Sequence, residues 1–286
     1  MSVTPRLLIS DIDGTLVDDR LTLDPDDIAA VQRARSAGTL VGLATGRMYR
    51  SAVPFAEQLQ VDLPLICYQG AVVRERPGPD APRSPRSGQP LGRLWREQGL
   101  EGPLALRVLA LAEVHGWSCT AYQGDDLLVA REDASVAYYN RIARVPVTVV
   151  PDLRERLRAG TTKLVVVEPD PARFPAVMAA VRASVGAEGE VTQSYAGFCE
   201  VTAPGVTKGA ALRWLCQRLG IALGDVVAVG DAPNDLSLLA AAGTAVAVRT
   251  AVPEVRAQAD WIAPGPGQGG IAAVVEHFGL DRASAA

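Results

Sequence analysis

Close to its start the chain carries an apolar run, Leu7-Leu8-Ile9, that ends almost at once in Asp11-Ile12-Asp13-Gly14-Thr15. Two carboxylates one residue apart at the end of a buried strand are unfavourable. Burial penalises the ionised form, and like charges repel. Such a pattern is tolerable where something positive binds, and a hard divalent cation with a phosphate beside it meets that need. Taken alone, the pair is equally consistent with a helix cap or a turn, which Asx residues often make. The segments further along the chain decide between these meanings.

The downstream pattern alternates strand and helix. Residues 6–10 read as a strand. Asp24 reads as an N-cap, with Pro25 at the first helical position and Asp26 and Asp27 in the first turn. That helix continues through Ile28, Val31 and Ala34 and stops at Gly38. A strand over 40–44, a helix after Met48 and a short strand over 64–68 complete a βαβαβ pattern, which predicts a parallel sheet with helices on both faces. Residues 77–90 are rich in Pro, Gly, Arg and Ser and read as a linker. A second α/β stretch comes next: a helix over 104–115, strands over 117–122 and 127–130, helices over 134–142 and 153–158, a strand over 164–167, a helix over 172–185 and a strand over 190–194. From Phe198 the first pattern resumes, with strands over 199–202, 226–229 and 245–248 and helices over 207–219 and 233–242; a last helix ends at Phe278 and Gly279. The expected fold is thus α/β: a Rossmann-like, doubly wound parallel-sheet core built from residues 1–80 and 198–286, with an α/β domain inserted over 81–197.

Composition narrows the function. With 286 residues, 48% of them hydrophobic, the chain can bury one large core or two moderate ones without disulfides. A net charge of −4 gives no basic face for nucleic acid, and no apolar run reaches membrane-spanning length. The first six residues lack the features of a signal peptide. Cys67, Cys119, Cys199 and Cys216 form no CxxC pair and read as reduced thiols of a cytoplasmic protein, monomeric or homodimeric. With only His115 and His277, a histidine zinc site or a Ser-His-Asp triad is not expected. Lysine survives only at Lys163 and Lys208 in an arginine-rich chain. A compact ammonium set against a phosphate is one task arginine does not duplicate.

Other segments share the geometry of the opening pair. Thr45-Gly46-Arg47 follows the apolar strand 41–44, and Gly230-Asp231-Ala232-Pro233-Asn234-Asp235 follows 226–229. In a parallel sheet such strand ends lie on one edge, where these folds bind ligands. Asp11, Asp13, Thr45, Asp231 and Asp235 should therefore converge, and so many carboxylates require a cation such as Mg2+. Lys208, flanked by Gly205 and Gly209 at a helix start, points to an anion held by the ammonium and the helix terminus together. Lys163 reads as structural or as a distant substrate contact.

In this order the four segments, 11–15, 45–47, 208–209 and 230–235, resemble the motifs of the haloacid dehalogenase superfamily. The chain is most similar to the Cof-type hydrolases, whose large α/β cap (subclass IIB) sits between the second and third motifs. The similarity runs nearly end to end and includes Ala259-Asp260-Trp261-Ile262 and the final helix. It implies that Asp11 is the nucleophile forming an aspartyl-phosphate, and that Asp13 is the general acid and base, with its carbonyl on Mg2+. It further implies that Asp11, Asp231 and Asp235 serve the metal, and that Thr45, Gly46, Lys208 and Asn234 hold the phosphate. Relatives that pump ions have threonine where this chain has Asp13, which favours hydrolysis or transfer to a sugar. Three departures bear on the substrate: Gln69-Gly70-Ala71 where relatives usually place asparagine before the glycine, Arg249-Thr250 in place of a Gly-Asn pair, and residues 265–269 in place of an acidic segment. Arg47, Gln69 and Arg249 are candidate contacts to the leaving group, with packing roles equally consistent. The expectation is a Mg2+-dependent phosphatase for a small phosphorylated metabolite, foremost a sugar phosphate. Alternatives are a specialised glycosyl-glycerate- or sucrose-phosphate phosphatase, a phosphomutase, or a silent binding module, the last opposed by the intact Asp11, Asp13, Lys208 and Asp231.

Overall fold

The computed structural model describes residues 7–61, 63–84 and 88–282. The first six residues, including the predicted strand start at Arg6, and residues 85–87 of the predicted linker lie outside the described residues. In chain order the elements are β1 (Leu7–Ser10), α1 (Pro25–Ser36), β2 (Leu40–Leu43), α2 (Tyr49–Gln58), β3 (Leu65–Cys67), β4 (Val72–Arg74), β5 (Leu94–Glu97), α3 (Gly102–His115), β6 (Ser118–Gln123), β7 (Asp126–Val129), α4 (Ala134–Ala143), β8 (Val147–Val149), α5 (Leu153–Leu157), β9 (Leu164–Val167), α6 (Phe174–Val185), β10 (Glu190–Gln193), β11 (Phe198–Thr202), α7 (Lys208–Leu219), β12 (Val226–Gly230), α8 (Leu236–Leu239), β13 (Thr244–Val248), α9 (Pro253–Arg256), β14 (Trp261–Ala263) and α10 (Gly270–His277).

A five-stranded parallel sheet in the order β14-β13-β12-β1-β2 forms the core. β1 and β12 are buried at every residue, as expected for strands covered on both faces. The helix starts obey the local chemistry. Asp24 caps α1 through the Asp26 amide at 2.9 Å, ahead of Pro25. Thr207 caps α7 through the Ala210 amide at 3.0 Å. The inserted stretch builds a mixed six-stranded sheet in the order β10-β11-β9-β6-β7-β8. Tyr122, Val165 and Phe198 of this sheet and Tyr139 of α4 pack in the same buried cluster as β1 and β12, so the second sheet lies against the core. Cys67, Cys119, Cys199 and Cys216 are buried free thiols, and among the described residues no helix is long and apolar enough to cross a membrane.

Three expectations change. β3 does not extend the parallel sheet; it meets β2 only at the bridge between Ala44 and Ile66 and then pairs antiparallel with β4, in a three-stranded sheet β3-β4-β5. The reversal comes from Tyr68 and Gln69, both left-handed (φ 54° and 60°), ahead of Gly70. Such a turn leaves no room for the crossover a parallel partner needs. β11, expected in the core, hydrogen-bonds antiparallel between β9 and β10 and belongs to the second sheet. The helix expected over 233–242 is a 3-10 turn, Pro233–Asp235, followed by the short α8.

Candidate active site

The carboxyl ends of β1, β2 and β12 bring the predicted residues to one edge. The Asp11 amide bonds the Val229 carbonyl at 3.0 Å, which extends β1 toward β12 and sets the Asp11 side chain beside the β12 loop. Lys208, the first residue of α7 and fully buried, donates from Nζ to Asp11 Oδ1 at 2.7 Å and to Asp235 Oδ1 at 2.6 Å. Asp235 Oδ2 in turn accepts the amides of Asp231 (3.0 Å) and Ala232 (3.1 Å), which closes the turn after β12. Thr15 Oγ1 donates to Asp231 Oδ1 at 2.7 Å. Oxygens of Asp11, Asp231 and Asp235 lie within 4.8 Å of one another. Gly14 (φ 80°) permits this approach: a Cβ there would sit 2.3 Å from Asp231 Oδ2.

The electrostatics follow from burial. Loss of water pushes the Asp11 carboxyl well above its ordinary range; Lys208 opposes the rise, and Asp235 and Asp231 add to it. Burial, with Asp235 second, raises Asp231 from 3.8 to about 7. For Lys208, burial works to lower the pKa, but Asp11 and Asp235 outweigh it and the net shift is upward, so the ammonium stays charged. Three carboxylates against one ammonium leave a negative charge that suits a hard cation. The donor set fits one. Asp11 Oδ2 and Asp231 Oδ2 have no hydrogen-bond partner among the described residues, whereas both oxygens of Asp235 are engaged.

The remaining predicted residues take more varied places. Asp13 is held by Arg47 in a two-pronged ion pair, Nε to Oδ2 at 2.7 Å and Nη2 to Oδ1 at 2.6 Å. Arg47 also reaches Ser51 Oγ (2.7 Å) and the Ile142 carbonyl on the inserted side (3.1 Å). Thr45 Oγ1 accepts the Arg47 amide at 3.1 Å, and the Gly46 carbonyl accepts Lys163 Nζ at 2.7 Å. Gln69 and Asn234 are buried and bonded to each other, Asn234 Nδ2 donating to Gln69 Oε1 at 3.1 Å. Arg249 stands apart. It is exposed and lines neither cleft at this edge.

A narrow cleft at this edge is lined by Asp11, Asp13, Gly46, Arg47, Asn234 and, from the inserted side, Tyr139, Tyr195, Phe198 and Glu200. Glu200 escaped the sequence reading. It lies at the centre of β11, 2% exposed, and bonds Lys163, Ser194 and Gln69. Its signal was a single acidic residue inside the apolar run Phe198-Cys199-Glu200-Val201. Lys163, assigned a structural or distant role, is the buried counterion of Glu200 at 2.9 Å.

The family model for haloacid dehalogenase-like hydrolases matches residues 8–275. The chain is 26% identical over 287 residues to the 5-amino-6-(5-phospho-D-ribitylamino)uracil phosphatase YitU of Bacillus subtilis, covering 98% of this chain and 100% of that one. It is 27% identical over 267 residues to the pyridoxal phosphate phosphatase YbhA of Escherichia coli, covering 90% of this chain and 93% of that one. A crystal structure from Thermotoga maritima superposes with a TM-score of 0.78 at 25% identity, covering 96% of this chain and 97% of that one.

Proposed function

Because the chain belongs to the haloacid dehalogenase-like hydrolase family, we propose that it is a cytoplasmic, Mg2+-dependent phosphatase that cleaves a small phosphorylated metabolite through an aspartyl-phosphate on Asp11. The observation that carries this reading is the Asp11–Lys208–Asp235 ion triad with Asp231 beside it, buried at one sheet edge beside a cleft. The named relatives act on phosphate esters of quite different leaving groups, so the phosphoryl group is the part of the substrate they share.

Asp11 and Asp231 would hold the metal through their unengaged oxygens, and Asp235 positions Lys208 and the β12 loop. Bound Mg2+ supplies positive charge for the phosphoryl oxygens. Asp11 attacks phosphorus; the bond from phosphorus to the ester oxygen breaks as Asp13 gives that oxygen a proton. Water then adds to phosphorus, Asp13 takes its proton, and the bond from Asp11 to phosphorus breaks. Lys208, the Thr45 hydroxyl and the Gly46 amide stabilise the transferring group. Both oxygens of Asp13 are bonded by Arg47, so one of these bonds opens before Asp13 hands over a proton.

Hydrolysis of p-nitrophenyl phosphate tests the reading. Turnover should need Mg2+ and should fall to background in Asp11→Asn. Metal-independent turnover, or an Asp11→Asn variant as active as the parent, would refute it.

A further inference from the structure

A chain of hydrogen bonds runs from the inserted region into the catalytic edge, and it has a direction. Lys163 Nζ, fully buried, donates to Glu200 Oε1 at 2.9 Å, and Ser194 Oγ donates to the same oxygen at 2.7 Å. Glu200 Oε2 accepts from Gln69 Nε2 at 2.6 Å. A carboxylate paired with an ammonium only accepts, so Gln69 must show it the NH2 end of its amide. The Gln69 carbonyl then faces Asn234, which must donate, and Nδ2 does so at 3.1 Å. Asn234 is thereby left with its acceptor unused. Oδ1 is buried with no protein partner, while the residue lines the cleft. A buried acceptor without a donor is unfavourable, and a ligand that brings one relieves it.

Charge points the same way. Arg47 is the only basic residue among the described residues that line this cleft or the adjoining one, and its guanidinium is committed to Asp13. Lys163 and Lys208 are committed to Glu200, Asp11 and Asp235. The opposite wall is aromatic, with Tyr139 and Tyr195 set 4.6 Å and 5.3 Å from Phe198 between ring centroids. A second anionic group on the substrate would meet an acceptor, a carboxylate and ring faces, and Arg47, with one bond to Asp13 open, would still carry that carboxylate as its partner.

We propose that the Lys163–Glu200–Gln69 relay, by fixing the Asn234 amide with its oxygen unused, selects phosphate esters whose leaving group is uncharged and carries hydroxyl or N–H donors, against those bearing a carboxylate or a second phosphate. The proposal rests on the phosphatase reading above. Matched esters test it: glycerol 3-phosphate against 3-phosphoglycerate, and glucose 6-phosphate against 6-phosphogluconate. The uncharged member should lead by about tenfold or more in kcat/KM with Mg2+; equality, or a lead for the carboxylated member, overturns the proposal. Calorimetric binding of the same pairs to Asp11→Asn reads selectivity without turnover. A binding preference alongside an inactive parent enzyme supports the selectivity and sinks the phosphatase reading, whereas equal binding overturns the selectivity whatever the turnover. Gln69→Met frees the Asn234 amide to turn and should narrow the preference to about threefold or less. A packing role alone would slow both members equally and keep the ratio, which would overturn the relay's part. If that variant does not fold, the parent panel and the binding measurement still decide.

Discussion

Replacing Lys208 by methionine removes the one positive charge buried between Asp11 and Asp235, at 2.7 Å and 2.6 Å. Breaking a buried ion pair from one side costs about 3–5 kcal/mol, since the remaining charge is left in a dry site. Asp235 keeps two backbone amides on its other oxygen, so Asp11 bears most of the loss. An unfolding entropy of about 2.1 cal/mol/K per residue gives about 0.6 kcal/mol/K for 286 residues, so Tm should fall by about 5–8 °C. Two features make the prediction specific. Saturating Mg2+ should narrow the gap, because the cation offsets an uncompensated charge in the variant and so binds it more tightly than the parent; each tenfold difference in Kd narrows the gap by about 1.4 kcal/mol. The gap should also shrink toward pH 5, because Asp11, already raised by burial, protonates more readily once Lys208 is gone. Differential scanning fluorimetry of Lys208→Met in EDTA and in Mg2+ reads both. A Tm within about 1 °C of the parent in EDTA, or a gap that widens with Mg2+, would refute the ion-triad account.

Two further predictions concern pH. Asp231 is raised to about 7, chiefly by burial and then by Asp235, and the metal needs it deprotonated; Mg2+ affinity should therefore weaken by about tenfold per unit as pH falls below 7, and a flat calorimetric Kd from pH 5.5 to 7.5 would contradict this. Asp27, fully buried in α1, accepts the Ala272 amide of α10 at 2.8 Å and is raised from 3.8 to about 6, mainly by burial. A carboxyl raised on folding stabilises the fold fully below its unfolded pKa and loses that contribution as pH rises through about 6, up to ~3 kcal/mol here. Asp27→Asn should thus flatten the stability profile between pH 4 and 7, measured by urea unfolding; a profile parallel to that of the parent would show that Asp27 does not titrate with folding.

Residues that sit in short loops after apolar strands were legible in the sequence. Asp11, Asp231 and Asp235 meet because local chemistry fixes each loop and parallel pairing fixes their common edge, while Asp13 turns to Arg47 beside them. Lys208 was legible through its rarity and its place at a helix start. Glu200 and Lys163 were not read this way, because their partners come from distant segments: Glu200 is 131 residues from Gln69, and Lys163 is 117 from Gly46. No local pattern encodes such a pairing. β4 turns back on β3 for a related reason. Tyr68 and Gln69 adopt left-handed backbone without glycine or asparagine to announce it, and the Tyr68 hydroxyl is tied to Asp125 at 2.6 Å across the junction. β11 was misassigned because a five-residue apolar strand carries no mark of which sheet it will join.

A nucleophilic Asp11 becomes covalently phosphorylated during turnover, and Asp13→Asn tests this most directly. With p-nitrophenyl phosphate the leaving group departs without a proton from Asp13, so Asp11 still forms its phosphoryl ester. The second step lacks its base, and the ester should accumulate. Acid quench followed by borohydride reduction converts an aspartyl-phosphate to homoserine, which peptide mapping locates. Homoserine is expected at position 11 in Asp13→Asn with Mg2+ present. Homoserine at another position, or none after substrate has been turned over, would contradict it.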